Sequence, residues 1–66
     1  PLAQIDVIQV GPLGTNCYVI HSGNGAECMV VDPGGDSARI TAFLKQLNVT
    51  PSQIVQLTPM PITLVQ

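Results

Sequence analysis

Aromatic and basic side chains are scarce: among 66 residues there is no tryptophan, one tyrosine, one phenylalanine, one histidine, and only Arg39 and Lys45 carry positive charge. Two cations leave no electrostatic footprint for a phosphate backbone or an anionic lipid surface, which excludes nucleic acid and acidic membranes as partners. No apolar run approaches the ~18 residues of a membrane span. The opening Pro1-Leu2-Ala3-Gln4 has neither the basic region nor the apolar stretch of a secretory signal, so the expected setting is cytoplasmic and reducing. Cys17 and Cys28 are too few and too differently placed for a CxxC metal knuckle. They are expected as reduced, buried hydrophobes, with a cross-strand disulfide as the alternative.

What the chain does have is apolar content. Hydrophobic residues make up 45% of it against six formal charges and a net charge of −2, which excludes a disordered tail and calls for extensive burial. A domain of this size hides only about 60% of its unfolded surface. A lone core of this size seldom supplies more than roughly 3–5 kcal/mol, so stability is expected to be marginal.

Along the chain, Ile5 to Val10 is rich in β-branched residues and stops at the turn-forming cluster Gly11-Pro12-Leu13-Gly14, predicting a first strand. Thr15 to Ile20 predicts a second, His21-Ser22-Gly23-Asn24-Gly25 a hairpin loop, and Cys28 to Val31 the returning antiparallel strand. A turn near Asn24 would pair residues whose numbers sum to about 45–47, bringing Cys17 close to Cys28 or Met29. Asp32-Pro33-Gly34-Gly35-Asp36 breaks the strand, and Asp36 is expected to cap the next helix through its carboxylate. Ile40, Phe43, Leu44 and Leu47 fall at helical spacing and predict a helix from Ser37 to Leu47, with Arg39, Thr41, Lys45 and Gln46 free to face water. Asn48 is expected to end it. Thr50-Pro51-Ser52 then reads as a connector and Ile54 to Thr58 as a fourth strand.

Strands two and three are continuous apolar runs, the pattern of strands covered on both faces. One eleven-residue helix covers only one face, so the other is expected to need a layer from elsewhere. Self-association through that face is the alternative source.

Three segments in order carry a family resemblance: Gly14-Thr15-Asn16-Cys17-Tyr18-Val19-Ile20, then Val30-Val31-Asp32-Pro33-Gly34-Gly35, then Ile54 to Thr58 after a helix. They resemble the start of metallo-β-lactamase-fold hydrolases of the glyoxalase II-like kind. The resemblance covers residues 1–58 and implies an α/β fold: the N-terminal part of an αββα sandwich, here a mainly antiparallel sheet of about four strands with one helix on one face. It implies hydrolysis of a thioester or ester, as in hydroxyacylglutathione hydrolase, at a site of one or two zinc ions whose bound water attacks a polarised carbonyl.

In such hydrolases that last strand leads into Leu-Thr-His-x-His-x-Asp-His. Here the same place reads Thr58-Pro59-Met60-Pro61-Ile62-Thr63-Leu64, with proline at both first histidines, Thr63 at the aspartate and Leu64 at the last histidine. Proline offers no side-chain lone pair, and no His, Cys, Asp or Glu follows Asp36. Residues 59–66 therefore read as an atypical tail in place of the zinc motif. Codons for Pro59 to Thr63, taken from the third base of the first, permit His-Ala-His-Tyr, so a shifted reading frame is one origin of this tail, although the shift does not restore the Asp-His that follows.

The resemblance places Asp32 near the metal pocket as a loop-shaping residue, and by itself it reads as a polar turn-former before proline. Gly34-Gly35-Asp36-Ser37 precedes a helix N-terminus but lacks the lysine and spacing of a phosphate loop, leaving a turn plus a cap. His21, with no identifiable Ser-His-Asp or Cys-His partner, is expected in a surface loop. Asn16 and Tyr18 are expected to serve turn hydrogen bonds and packing. No catalytic, cofactor-binding or metal-binding residue is assigned, and no zinc is expected on this chain. The expected function is that of an N-terminal hydrolase fragment, inactive alone; the rival is a small non-enzymatic α/β module that dimerises or binds a partner through its uncovered sheet face.

Overall fold

The computed structural model describes residues 3–57. Its elements follow the order β1 (Gln4–Val10), β2 (Thr15–His21), β3 (Glu27–Val31), α1 (Ser37–Leu47) and β4 (Thr50–Val55). They form one four-stranded sheet in the order β1-β2-β3-β4, with the first two pairings antiparallel and β3–β4 parallel. A parallel pair needs a crossover, and α1 provides it. No helix among the described residues is long and apolar enough to cross a membrane.

The helix has the boundaries that the apolar spacing predicts. Ile40 and Leu44 are buried, Phe43 and Leu47 pack partly buried against the core, and Arg39, Thr41, Lys45 and Gln46 are exposed. Asn48 ends it in the left-handed region (φ 56°), its N–H reaching the carbonyls of Leu44 and Lys45. Asn tolerates this backbone better than most residues because its short amide bonds locally.

Alternation along the strands divides the sheet into two faces. Val10, Cys17, Val19, Cys28 and Val30 are buried with Ile40, Leu44 and Val49 in one core beneath α1. On the opposite face the register aligns Ile5, Ile20, Met29 and Gln53 in one row and Val7, Tyr18, Val31 and Val55 in the next. Ile5 is 62% and Val7 50% exposed, while Tyr18, Ile20, Met29 and Val55 are half-buried and Val31 is buried, so among the described residues this second apolar face is open chiefly along β1.

Three expectations are corrected. The β2–β3 partners are Tyr18–Val31 through His21–Cys28, whose numbers sum to 49, so Cys17 lies well away from Cys28 along the ladder and both thiols are free. The longer loop is drawn toward the end of α1 by Gly25 N–H donating to the Asn48 carbonyl (2.7 Å), a contact that local turn rules do not contain. Next, β4 begins at Thr50 and runs through Pro51, where a connector was expected, and ends at Val55 before Thr58. Proline is tolerated because β4 is an edge strand, and the ladder is irregular opposite Cys28–Met29, where Ser52 Oγ donates to the Cys28 carbonyl (3.2 Å). Finally, Asp36 makes no side-chain cap bond to α1.

Candidate functional site

β1, β3 and β4 all run toward one edge of the sheet, where β2 begins and α1 starts. In open α/β sheets ligands gather at the carboxyl ends of parallel strands. Here that edge is built from the turn after β1, the Asp32–Asp36 loop after β3, and the end of β4.

Asp32 joins two of these pieces. Its backbone is left-handed (φ 58°), which turns the chain sharply at the end of β3. Its N–H donates to the Val55 carbonyl (2.7 Å), while Oδ1 accepts from the Leu57 N–H (2.5 Å) and from Gln56 Nε2 (3.3 Å). The carboxylate thus holds the first residues beyond β4 against the end of β3. It acts as more than a turn-former before proline, because its partners lie 24 and 25 residues away.

Asp36 and Arg39 attach the start of α1 to the end of β1. Asp36 Oδ2 accepts from the Gly11 N–H (3.0 Å), and Arg39 Nε donates to the Gln9 carbonyl (2.7 Å). Asp36 therefore serves β1 where a helix cap was expected, since Gly11 offers a donor that the turn leaves unpaired. A shallow cleft between the two loops is lined by Val10, Pro12, Leu13, Thr15, Gly34 and Gly35. Gly34 adopts φ 61°, and a Cβ there would stand 4.0 Å from Val10 Cγ2, so backbone conformation rather than space requires the glycine.

His21 is corrected from an expected surface position. It is the last residue of β2, 6% exposed, and Nε2 lies 2.6 Å from Asp6 Oδ2 while Gly23 N–H donates to Nδ1 (3.1 Å). This pair lies at the far edge of the sheet from Asp32. Asn16 Nδ2 and Tyr18 Oη are bonded to one another (3.4 Å), in keeping with a role in local hydrogen bonding. The sequence held a signal for the His21–Asp6 pair: Asp6 shares parity with Ile8 and Val10 on the covered face, where a carboxylate needs a partner.

The described residues do not make a metal site. Among the described residues no group of three His, Cys, Asp or Glu could hold an ion. His21 has both ring nitrogens engaged, and Asp32 and Asp36 are committed to backbone donors. Burial, with the Asp32 charge as a lesser contribution, pushes the Cys17 thiol above its ordinary range; burial does the same to Cys28. Both are therefore held as thiols, the form that neither attacks nor ligates well. Residues 58 to 64, where the zinc motif of the resembled hydrolases would fall, lie outside the described residues.

The role of Asp32 has a direct test. Asp32→Ala is expected to cost about 1–2 kcal/mol for placing an alanine in the left-handed region. The lost hydrogen bonding adds about 0.5–1.5 kcal/mol. Asp32→Asn, which tolerates that backbone and keeps an acceptor oxygen, should retain most of the stability. Urea unfolding together with amide exchange at Leu57 reads both effects, and equal behaviour of the two variants would contradict the assignment.

Comparison with known proteins accounts for this arrangement. Residues 10–59 match the Metallo-beta-lactamase superfamily. An uncharacterized protein of Aquifex aeolicus (strain VF5) is 36% identical over 45 residues, covering 68% of this chain and 21% of that protein. The probable metallo-hydrolase YqgX of Bacillus subtilis (strain 168) is 35% identical over 46 residues, covering 70% of this chain and 21% of its own length. The chain thus spans about a fifth of the length of these curated relatives. No solved structure matches it significantly. The four-stranded, mostly antiparallel sheet with one helix agrees with an N-terminal part of the matched fold, and the matched region takes in the cleft, the Asp32 loop, α1 and β4. The chain belongs to the metallo-beta-lactamase superfamily.

Proposed function

We propose that these residues are the first layer of a metal-dependent hydrolase that cleaves an acyl thioester or ester, of the glyoxalase II-like kind, and that they are catalytically silent alone. The observation that carries this reading is the Asp32 bond to the Leu57 N–H, which anchors the chain where β4 ends, at the edge toward which three strands run. A segment following Leu57 would enter the site from a fixed point. The TNCY and VDPGG segments support the glyoxalase II-like assignment and zinc as the metal. The free thiols of Cys17 and Cys28 are in keeping with a cytoplasmic, reducing setting.

A chimera tests the reading. Residues 1–58 would be joined to the segment that follows the matched region in the Bacillus subtilis relative. The expected product is a folded protein that binds zinc and hydrolyses a hydroxyacylglutathione thioester, whereas the 66-residue chain does neither. A folded chimera that hydrolyses simple esters but no thioester would overturn the glyoxalase II-like assignment. One that hydrolyses nothing would overturn the hydrolase reading.

The exposure of Ile5 and Val7 favours a second reading, a non-enzymatic module that self-associates or binds a partner through this face. The chimera separates the two, because only a hydrolase layer gains metal binding and activity from added downstream sequence.

A further inference from the structure

The covered face of the sheet carries two polar side chains that the site edge does not use. Asp6 and His21 are brought together by the β1–β2 register, in which Asp6 faces Val19 and His21 lies two residues further along the same face. The two ring nitrogens of His21 have opposite roles. A backbone N–H can only donate, so the Gly23 N–H at 3.1 Å makes Nδ1 an acceptor. The ring proton therefore sits on Nε2 and is donated to Asp6 Oδ2 at 2.6 Å.

Gly23 belongs to the β2–β3 loop, and this loop holds the C-terminal end of α1. Ala26 N–H donates to the Gly23 carbonyl (3.1 Å), Gly25 N–H to the Asn48 carbonyl (2.7 Å), and Asn48 Nδ2 to Asn24 Oδ1 (2.5 Å). His21 Nδ1 is thus one anchor of a loop whose other anchor is the helix-capping residue.

We propose that Asp6, His21 and Gly23 form an acid-sensitive latch, in which one proton taken from solvent at Nδ1 releases the β2–β3 loop from the end of α1 while β1 and β2 stay clamped. The asymmetry follows from the two bonds. A second ring proton sets two N–H groups against each other at Gly23, turning attraction into repulsion. At Nε2 the same donor faces the same carboxylate, and the contact, already charge-assisted from the acceptor side, gains a second charge and becomes stronger. The closed loop excludes the Nδ1 proton, so the open form binds more protons, and closure is lost as pH falls.

The surrounding groups leave the imidazole as the one that switches. From β1 the facing group is the Asp6 carboxylate. From β3 it is Cys28, opposite His21 in the register, whose thiol burial keeps protonated, with Glu27 beside it exposed. Residues Thr50–Val55 of β4 include no titratable side chain. In its last turn α1 brings Lys45, which is exposed.

The test is nitrogen NMR and amide exchange on the 66-residue chain between about pH 8 and pH 5, the range over which histidine changes charge. At the upper end the ring spectrum is expected to show a bare Nδ1 and a protonated Nε2. Protection at Gly23 and Gly25 is then expected to fall by about tenfold per pH unit once the ring titrates, with Val19 and Val30 unchanged. In His21→Gln, whose amide oxygen accepts but does not titrate, this pH dependence should vanish. If that variant does not fold, the wild-type ring spectrum and exchange profile decide alone. A proton on Nδ1 at the upper pH, protection at Gly23 that survives ring protonation, or simultaneous loss at Gly23 and Val19 would each overturn the latch.

Discussion

Leu44→Ala leaves the chain predominantly unfolded at room temperature. Leu44 is 6% exposed and, with Ile40, is one of the two residues that α1 buries against the sheet. Truncating a buried leucine costs about 2–5 kcal/mol, because the lost transfer energy is joined by the cavity left behind. A single core of this size seldom supplies more than roughly 3–5 kcal/mol, so the loss is expected to consume most or all of it. Among the described residues no second layer lies on the other side of the sheet, where Ile5 and Val7 are 62% and 50% exposed. Thr41→Ala, on the exposed face of the same helix, should be neutral or slightly stabilising, alanine being the best helix former. Circular dichroism during thermal unfolding compares the two, and a Leu44→Ala chain that unfolds cooperatively near the wild-type temperature would contradict the single-layer core.

The elements that depend on local pattern were legible in the sequence. The four-residue spacing of Ile40 and Leu44, with Phe43 and Leu47 beside them, is sufficient to place α1, and the β-branched runs bounded by glycine clusters place β1, β2 and β3 to within a residue. What stayed illegible depends on partners distant in sequence. Asp36 looks like a cap because it precedes a helix, yet the Gly11 N–H, 25 residues away, takes its carboxylate. Pro51 looks like a connector because proline cannot donate to a ladder, yet an edge strand leaves one side without a ladder to break. His21 looks like a loop residue because glycines follow it, yet β2 extends one residue further and Asp6 awaits it on the covered face. The Asp32 latch on β4 was invisible for the same reason: its donor Leu57 N–H is a backbone group with no residue signature.

The family resemblance read from TNCY and VDPGG agrees with the superfamily match, and the uncovered face gives that match physical content. Two aligned rows, Ile5-Ile20-Met29-Gln53 and Val7-Tyr18-Val31-Val55, contain a single polar residue. A contiguous apolar surface of this kind marks an interaction face in a soluble protein. A partner layer bound here would both bury the rows and stabilise the sheet. Threonine at positions 5 and 7 keeps the branched shape that strands favour while adding hydroxyls to the face, so it should remove apolar surface without removing the strand.

The decisive measurement is the fluorescence of an apolar dye mixed with the wild-type chain and with the Ile5→Thr, Val7→Thr double variant, alongside circular dichroism of each. A sheet built to lie beneath another layer predicts strong emission from the wild type and much weaker emission from the variant, with the same helix and strand signal in both. A cooperatively folded wild-type chain that binds no dye and sediments as a monomer at high concentration would show that the face needs no cover, and would contradict the account.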